Sequence, residues 1–117
     1  TENNPRPEPS GFDDVSESYA LAARDVDGLL LPAGDAWREA WQLDPSLALY
    51  GSDGFHPTGL GSYLAALAVW RGLSRESVAG LPGPPGVSAS TLRQLQESAD
   101  RAVTASASRS KEFAALR

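Results

Sequence analysis

The chain has one histidine, His56, and an aspartate stands three residues before it, in Gly51-Ser-Asp53-Gly-Phe-His56-Pro-Thr58. Histidine takes and returns a proton near neutral pH, and a neighbouring carboxylate fixes its tautomer and ring orientation. Gly54 permits a turn that carries the Asp53 carboxylate toward the imidazole, and Pro57 fixes the exit of the chain. The remaining ring nitrogen then faces outward, toward a nucleophile. Such a pair would be a workable dyad of the base-and-orienter kind that a serine hydrolase needs. A lone histidine before a proline at a helix start is also a common turn or cap residue. A metal role for Asp53 and His56 would leave a site short of ligands. Ser52 and Thr58 read as turn and cap residues. Phe55 reads as a packing anchor that also borders a substrate's acyl group.

Several elements must position this loop. Residues 14–26 read as a helix, with Val15, Tyr19, Ala22 or Ala23 and Val26 on one face and Gly28 as its stop. Residues 28–32 hold three consecutive leucines, which cannot alternate between core and water. They predict a strand buried on both faces, closed by Pro32. Residues 34–41 predict a short helix whose Trp37 and Trp41 pack in the core or at its rim. Asp44-Pro-Ser is a turn. From Thr58 to Leu73 the pattern is helical and apolar nearly all round, with Leu60, Tyr63, Leu64, Leu67, Ala68 and Trp70. Such a helix is expected to be buried against a larger body, here a sheet supplied mostly from elsewhere. Residues 80–87, with three prolines and three glycines, form a linker or an ordered crossing loop. Ser88 or Ser90 caps a further helix running to about Val103, with Leu92, Leu95, Ala99 and Ala102 or Val103 as its stripe.

The run Leu49-Tyr-x-x-Asp53-x-x-His56-Pro-Thr-x-x-Gly61-Ser-Tyr-Leu-Ala-Ala66 resembles the last block of the SGNH/GDSL hydrolases, in which Asp-x-x-His precedes the final helix. Leu30-Leu-Pro-Ala-Gly-Asp-Ala-Trp37 is similar to the segment before that block in a bacterial branch of the family. The resemblance spans roughly residues 12–82. It implies an α/β fold, this chain being the C-terminal portion of a three-layer α/β/α, flavodoxin-like domain and mostly helical itself. It implies hydrolysis of an ester, often an acyl or acetyl ester of a sugar or lipid, through an acyl-serine, without a cofactor. His56 would be the general base and Asp53 its orienting acid. The family's Gly-Asp-Ser nucleophile motif is absent, as are a Gly-x-Ser-x-Gly elbow, the oxyanion glycine and the Gly-x-Asn-Asp asparagine. Gly51-Ser52-Asp53 has the same letters in another order and is not that motif. The expectation is therefore part of a serine esterase, with the nucleophile and oxyanion hole on a complementary N-terminal segment or partner chain. On this reading the chain alone is inactive. The alternative is a non-catalytic interaction module with a relic histidine loop.

Composition sets the outer bounds. The 117 residues suit one small domain or a piece of a larger one. The expected organisation is an extended lead-in over 1–11, a hydrolase-like half-domain over 12–82, a linker and amphipathic helix over 83–105 and a flexible tail over 106–117, with Phe113 and Leu116 in need of a partner. Net charge is −5, with twelve acids and five bases in residues 1–80 and three acids and five bases in 81–117. An acidic body argues against a nucleic-acid surface, which needs clustered Lys and Arg. The absence of cysteine excludes disulfides and thiolate chemistry and leaves the compartment open. No apolar run reaches the ~20 residues of a membrane span, and no signal-peptide pattern is visible, so a soluble chain is expected. A start at Thr1 and the lack of methionine suggest a processed or trimmed product.

Overall fold

The computed structural model describes the backbone of residues 9–115 and the side chains of 11–111. Most of the lead-in and the side chains of Phe113 and Leu116 lie outside the described residues. Four helices follow one another: α1 Pro9–Asp25, α2 Ala33–Leu43, α3 Gly59–Ser74 and α4 Ala89–Ala115. Helices α2, α3 and α4 pack mutually, and α1 leans on α2.

The local chemistry explains the boundaries. Pro9 occupies the first position of α1, where its missing N–H costs nothing. The helix ends where Asp27 turns left-handed (φ 53°) and the Gly28 amide returns to the Ala23 carbonyl at 2.7 Å. Thr58 caps α3 by accepting from the Gly61 amide, and Arg75 closes it in a left-handed conformation. Ser88 Oγ accepts from the Thr91 amide at the start of α4. Helix α4 runs twelve residues beyond Val103, to Ala115. Its outer half is fastened by Arg109, whose guanidinium reaches Asp35 Oδ2 at 3.2 Å and Ser16 Oγ at 3.3 Å.

The core holds Ala36, Ala40 and Trp41 of α2, Leu47 and Leu49 of the following loop, Leu64, Leu67 and Ala68 of α3, Val78, and Leu95, Ala99 and Ala102 of α4. Five of these residues are alanines, whose small side chains leave room for helices to pack closely. Polar ties complete it. Asp100 accepts from Arg71 Nε (3.1 Å), the Val78 amide (3.2 Å) and Ser77 Oγ (2.5 Å), joining the end of α3 to α4. Buried Gln96 accepts from the Gly80 amide and donates to the Leu81 carbonyl, and Tyr63 donates to the Pro82 carbonyl. The Pro- and Gly-rich segment is thus strapped onto α3 and α4.

Three expectations need correction. The fold is all-α, not α/β: among the described residues there is no strand, only a single antiparallel bridge between Tyr50 and Pro57. The three leucines form no ladder. Leu29 is 64% exposed, Leu30 and Leu31 are half-buried, and Leu31 lies over Gly72 of α3. A buried strand must pair its amides and carbonyls, and the described residues offer this segment only helices, which present no edge. Second, α1 turns Phe12, Ser16 and Ala20 inward at helical spacing, while Val15, Tyr19 and Val26 of the predicted face are exposed. Phe12 meets Trp41 edge-on at 5.9 Å, which sets that rotation. Third, α3 is buried on one side only; Val69, Trp70 and Leu73 remain exposed.

Candidate functional site

The histidine loop stands on a closed stem. The Tyr50–Pro57 bridge forms its base. Above the bridge the Gly51 amide donates to the His56 carbonyl at 2.8 Å, and the Gly54 amide donates to the Gly51 carbonyl at 3.0 Å. Gly54 takes φ 68°, a left-handed conformation that glycine adopts without strain. Below the bridge the Thr58 amide donates to the Leu49 carbonyl at 2.9 Å. The stem rests on aromatic rings: Tyr50 packs against Trp37 (4.7 Å between centroids) and Trp41 (5.9 Å). Trp37 Nε1 donates to the Gly61 carbonyl, and Trp41 Nε1 to the Leu47 carbonyl, so both indoles also fix backbone.

The fold brings Asp53 and His56 together. His56 Nδ1 lies 2.6 Å from Asp53 Oδ2. The other carboxylate oxygen accepts from the Phe55 and His56 amides at 2.9 and 3.0 Å. Asp53 is therefore held at both oxygens, one by the loop backbone and one by the imidazole. These bonds, first the imidazole and then the two amides, lower its pKa from 3.8 to about 2. With the carboxylate ionised, a neutral imidazole carries its proton on Nδ1 and leaves the Nε2 lone pair free to accept. The His56 side chain is 74% exposed and Asp53 52%, so Nε2 is open to an incoming group.

The other predicted residues fall on either side of this pair. Thr58 is the cap of α3. Ser52 is exposed in the turn. Phe55 does not anchor packing: it is 76% exposed and stands edge-on to His56 at 5.0 Å between ring centroids. Among the described residues the His56 ring hydrogen-bonds to Asp53 and to no hydroxyl, and no group of three His, Cys, Asp or Glu side chains gathers as a metal site. No helix of the described residues is long and apolar enough to cross a membrane. Sequence reasoning missed the supporting contacts: Tyr50 and the two indoles beneath the loop, and Gly61 against the Leu49 carbonyl. Aromatic residues at 37, 41 and 50 carry a signal for clustering, but not for which backbone groups they bind.

No family model matches the chain, and comparison with curated proteins and with solved structures finds no match.

Proposed function

We propose that this chain supplies the general base and orienting acid of an SGNH-type serine esterase, and that a complementary segment or partner chain supplies the nucleophile and oxyanion donors. The observation that carries this reading is the 2.6 Å contact between His56 Nδ1 and an ionised, doubly anchored Asp53, with Nε2 left open. In the assembled site Nε2 removes the proton from a serine hydroxyl as its oxygen attacks the ester carbonyl. Asp53 stabilises the imidazolium that forms. The imidazolium then protonates the departing alcohol, leaving an acyl-serine. Water, deprotonated by the same nitrogen, releases the acid. The reading rests on the loop and its sequence, not on the architecture, which is all-α. The expected substrate is a small-molecule, glycan or lipid ester.

The exposed Val15, Tyr19 and Leu29, with Val69, Trp70 and Leu73, favour a second reading, in which the chain is a docking module and the loop a relic. One experiment separates the two. The full protein or complex containing this chain is treated with a fluorophosphonate probe and assayed on p-nitrophenyl acetate, as wild type and as His56→Ala. Probe labelling with loss of turnover in the variant supports the esterase. Turnover unchanged in His56→Ala, or no labelled serine at all, overturns it.

A further inference from the structure

We infer that Thr58 is a positioning residue for the Asp53–His56 pair, as well as the cap of α3. Its side chain lies where three pieces of backbone converge. Thr58 Oγ1 accepts from the Gly61 amide at 3.1 Å, which satisfies one open amide of the helix. The same hydroxyl donates to the Ala48 carbonyl at 2.6 Å, on the opposite arm of the loop. The Thr58 amide adds a bond to the Leu49 carbonyl at 2.9 Å. One residue thus ties the incoming arm, the outgoing arm and the first turn of α3 together.

The consequence lies two residues away. His56 and Asp53 are largely exposed, so packing against neighbours does not set their orientation. What sets it is the loop's own backbone: the His56 carbonyl held by the Gly51 amide, and the Phe55 and His56 amides that hold Asp53 Oδ1. The first of those bonds spans the two arms and needs their register; the other two close the turn that the stem carries. The Tyr50–Pro57 bridge is made by the bonds on either side of it, the Gly51 amide to the His56 carbonyl above and the Thr58 amide to the Leu49 carbonyl below, so the missing N–H of Pro57 costs it nothing. Register is held on both sides of the bridge, and on the lower side Thr58 supplies both donors, to the consecutive carbonyls of Ala48 and Leu49. A cap that served the helix alone needs only an acceptor. Here the hydroxyl's proton is used too, on the loop.

The test separates loop from cap. Thr58→Val removes donor and acceptor, and Thr58→Ser keeps both. Thr58→Gly, a mild substitution at a cap position, is the second variant if Thr58→Val does not fold. Amide exchange and the Asp53 carboxyl titration are followed by NMR in folded protein. In the Val or Gly variant the Gly51, Phe55 and His56 amides should exchange about five- to tenfold faster, the effect of losing one ordinary hydrogen bond. The Asp53 midpoint should rise from about 2 toward 3.8. Thr58→Ser should restore both. Faster exchange confined to Gly61 and its helical neighbours, with the Asp53 midpoint unmoved, would show a cap only and overturn the inference. The effect on turnover rests on the esterase reading: kcat should fall about a hundredfold with KM unchanged. Full turnover in Thr58→Val beside a dead His56→Ala removes the positioning role and keeps the base. An active His56→Ala removes the esterase and leaves the titration result standing.

Discussion

Gly61→Ala should be one of the more damaging single-methyl additions available in this protein. A Cβ built on Gly61 overlaps the Leu49 carbonyl oxygen and lies 2.7 Å from Trp37 Cζ2 and 3.0 Å from Cη2. Neither neighbour can yield easily. The Leu49 carbonyl is the acceptor for the Thr58 amide, and the Trp37 indole is held by its bond to the Gly61 carbonyl and by the Tyr50 ring. Overpacking of this kind costs about 3 kcal/mol at the upper end of its usual range. Alanine's higher helix propensity returns about 1 kcal/mol, leaving a net loss of about 2 kcal/mol. An unfolding entropy of roughly 2.1 cal/mol/K per residue over 117 residues converts this to a melting point about 8 °C lower. Two glycines of the same helix are internal controls. Gly59 has nothing within 4 Å of a built Cβ, so Gly59→Ala should be stabilising by about 0.5 kcal/mol. Gly72 meets only the end of the Leu31 side chain at 2.5 Å, which can rotate away, so Gly72→Ala should be near neutral. Thermal and urea unfolding followed by circular dichroism rank the three. If Gly61→Ala melts at or above Gly59→Ala, the close approach of α3 to the loop stem is wrong, and so is the support described for His56.

Two further outcomes follow from the same contacts. Asp53 has a native pKa of about 2 against an ordinary 3.8, so its stabilising contribution is fully present above about pH 4 and fades as pH falls through 2. The gap in urea midpoint between wild type and Asp53→Asn should therefore narrow between about pH 5 and pH 2; a gap that widens on acidification would refute the assigned bonds. Asp100→Ala removes the shared acceptor of Arg71, Ser77 and the Val78 amide and should cost about 2–3 kcal/mol in urea unfolding, well above the ~1 kcal/mol ceiling for an exposed ion pair. A loss near zero would mean that the knot between α3 and α4 is not formed.

Much of the local structure was legible in residue order. Three helices lie close to where periodicity puts them, Thr58 caps α3, and Trp41 is in the core. The Asp53-Gly-Phe-His56 spacing by itself predicts the contact that forms, because a turn at Gly54 needs no distant partner. What the sequence could not decide was which apolar surface faces which. Three leucines in a row fit a buried strand or a half-covered connection equally well, and only the lack of a pairing edge among the helices selects the second. Val15 and Tyr19 share a helical face as good as that of Phe12, Ser16 and Ala20, and the Phe12–Trp41 contact chooses between them. The same limit governs the site. Local spacing determined the Asp53–His56 pair; tertiary structure decided its setting, an exposed loop tied at its stem by Thr58 and seated on Tyr50, Trp37 and Trp41. Short-range geometry is written in adjacent residues, whereas burial depends on what the rest of the chain brings against them.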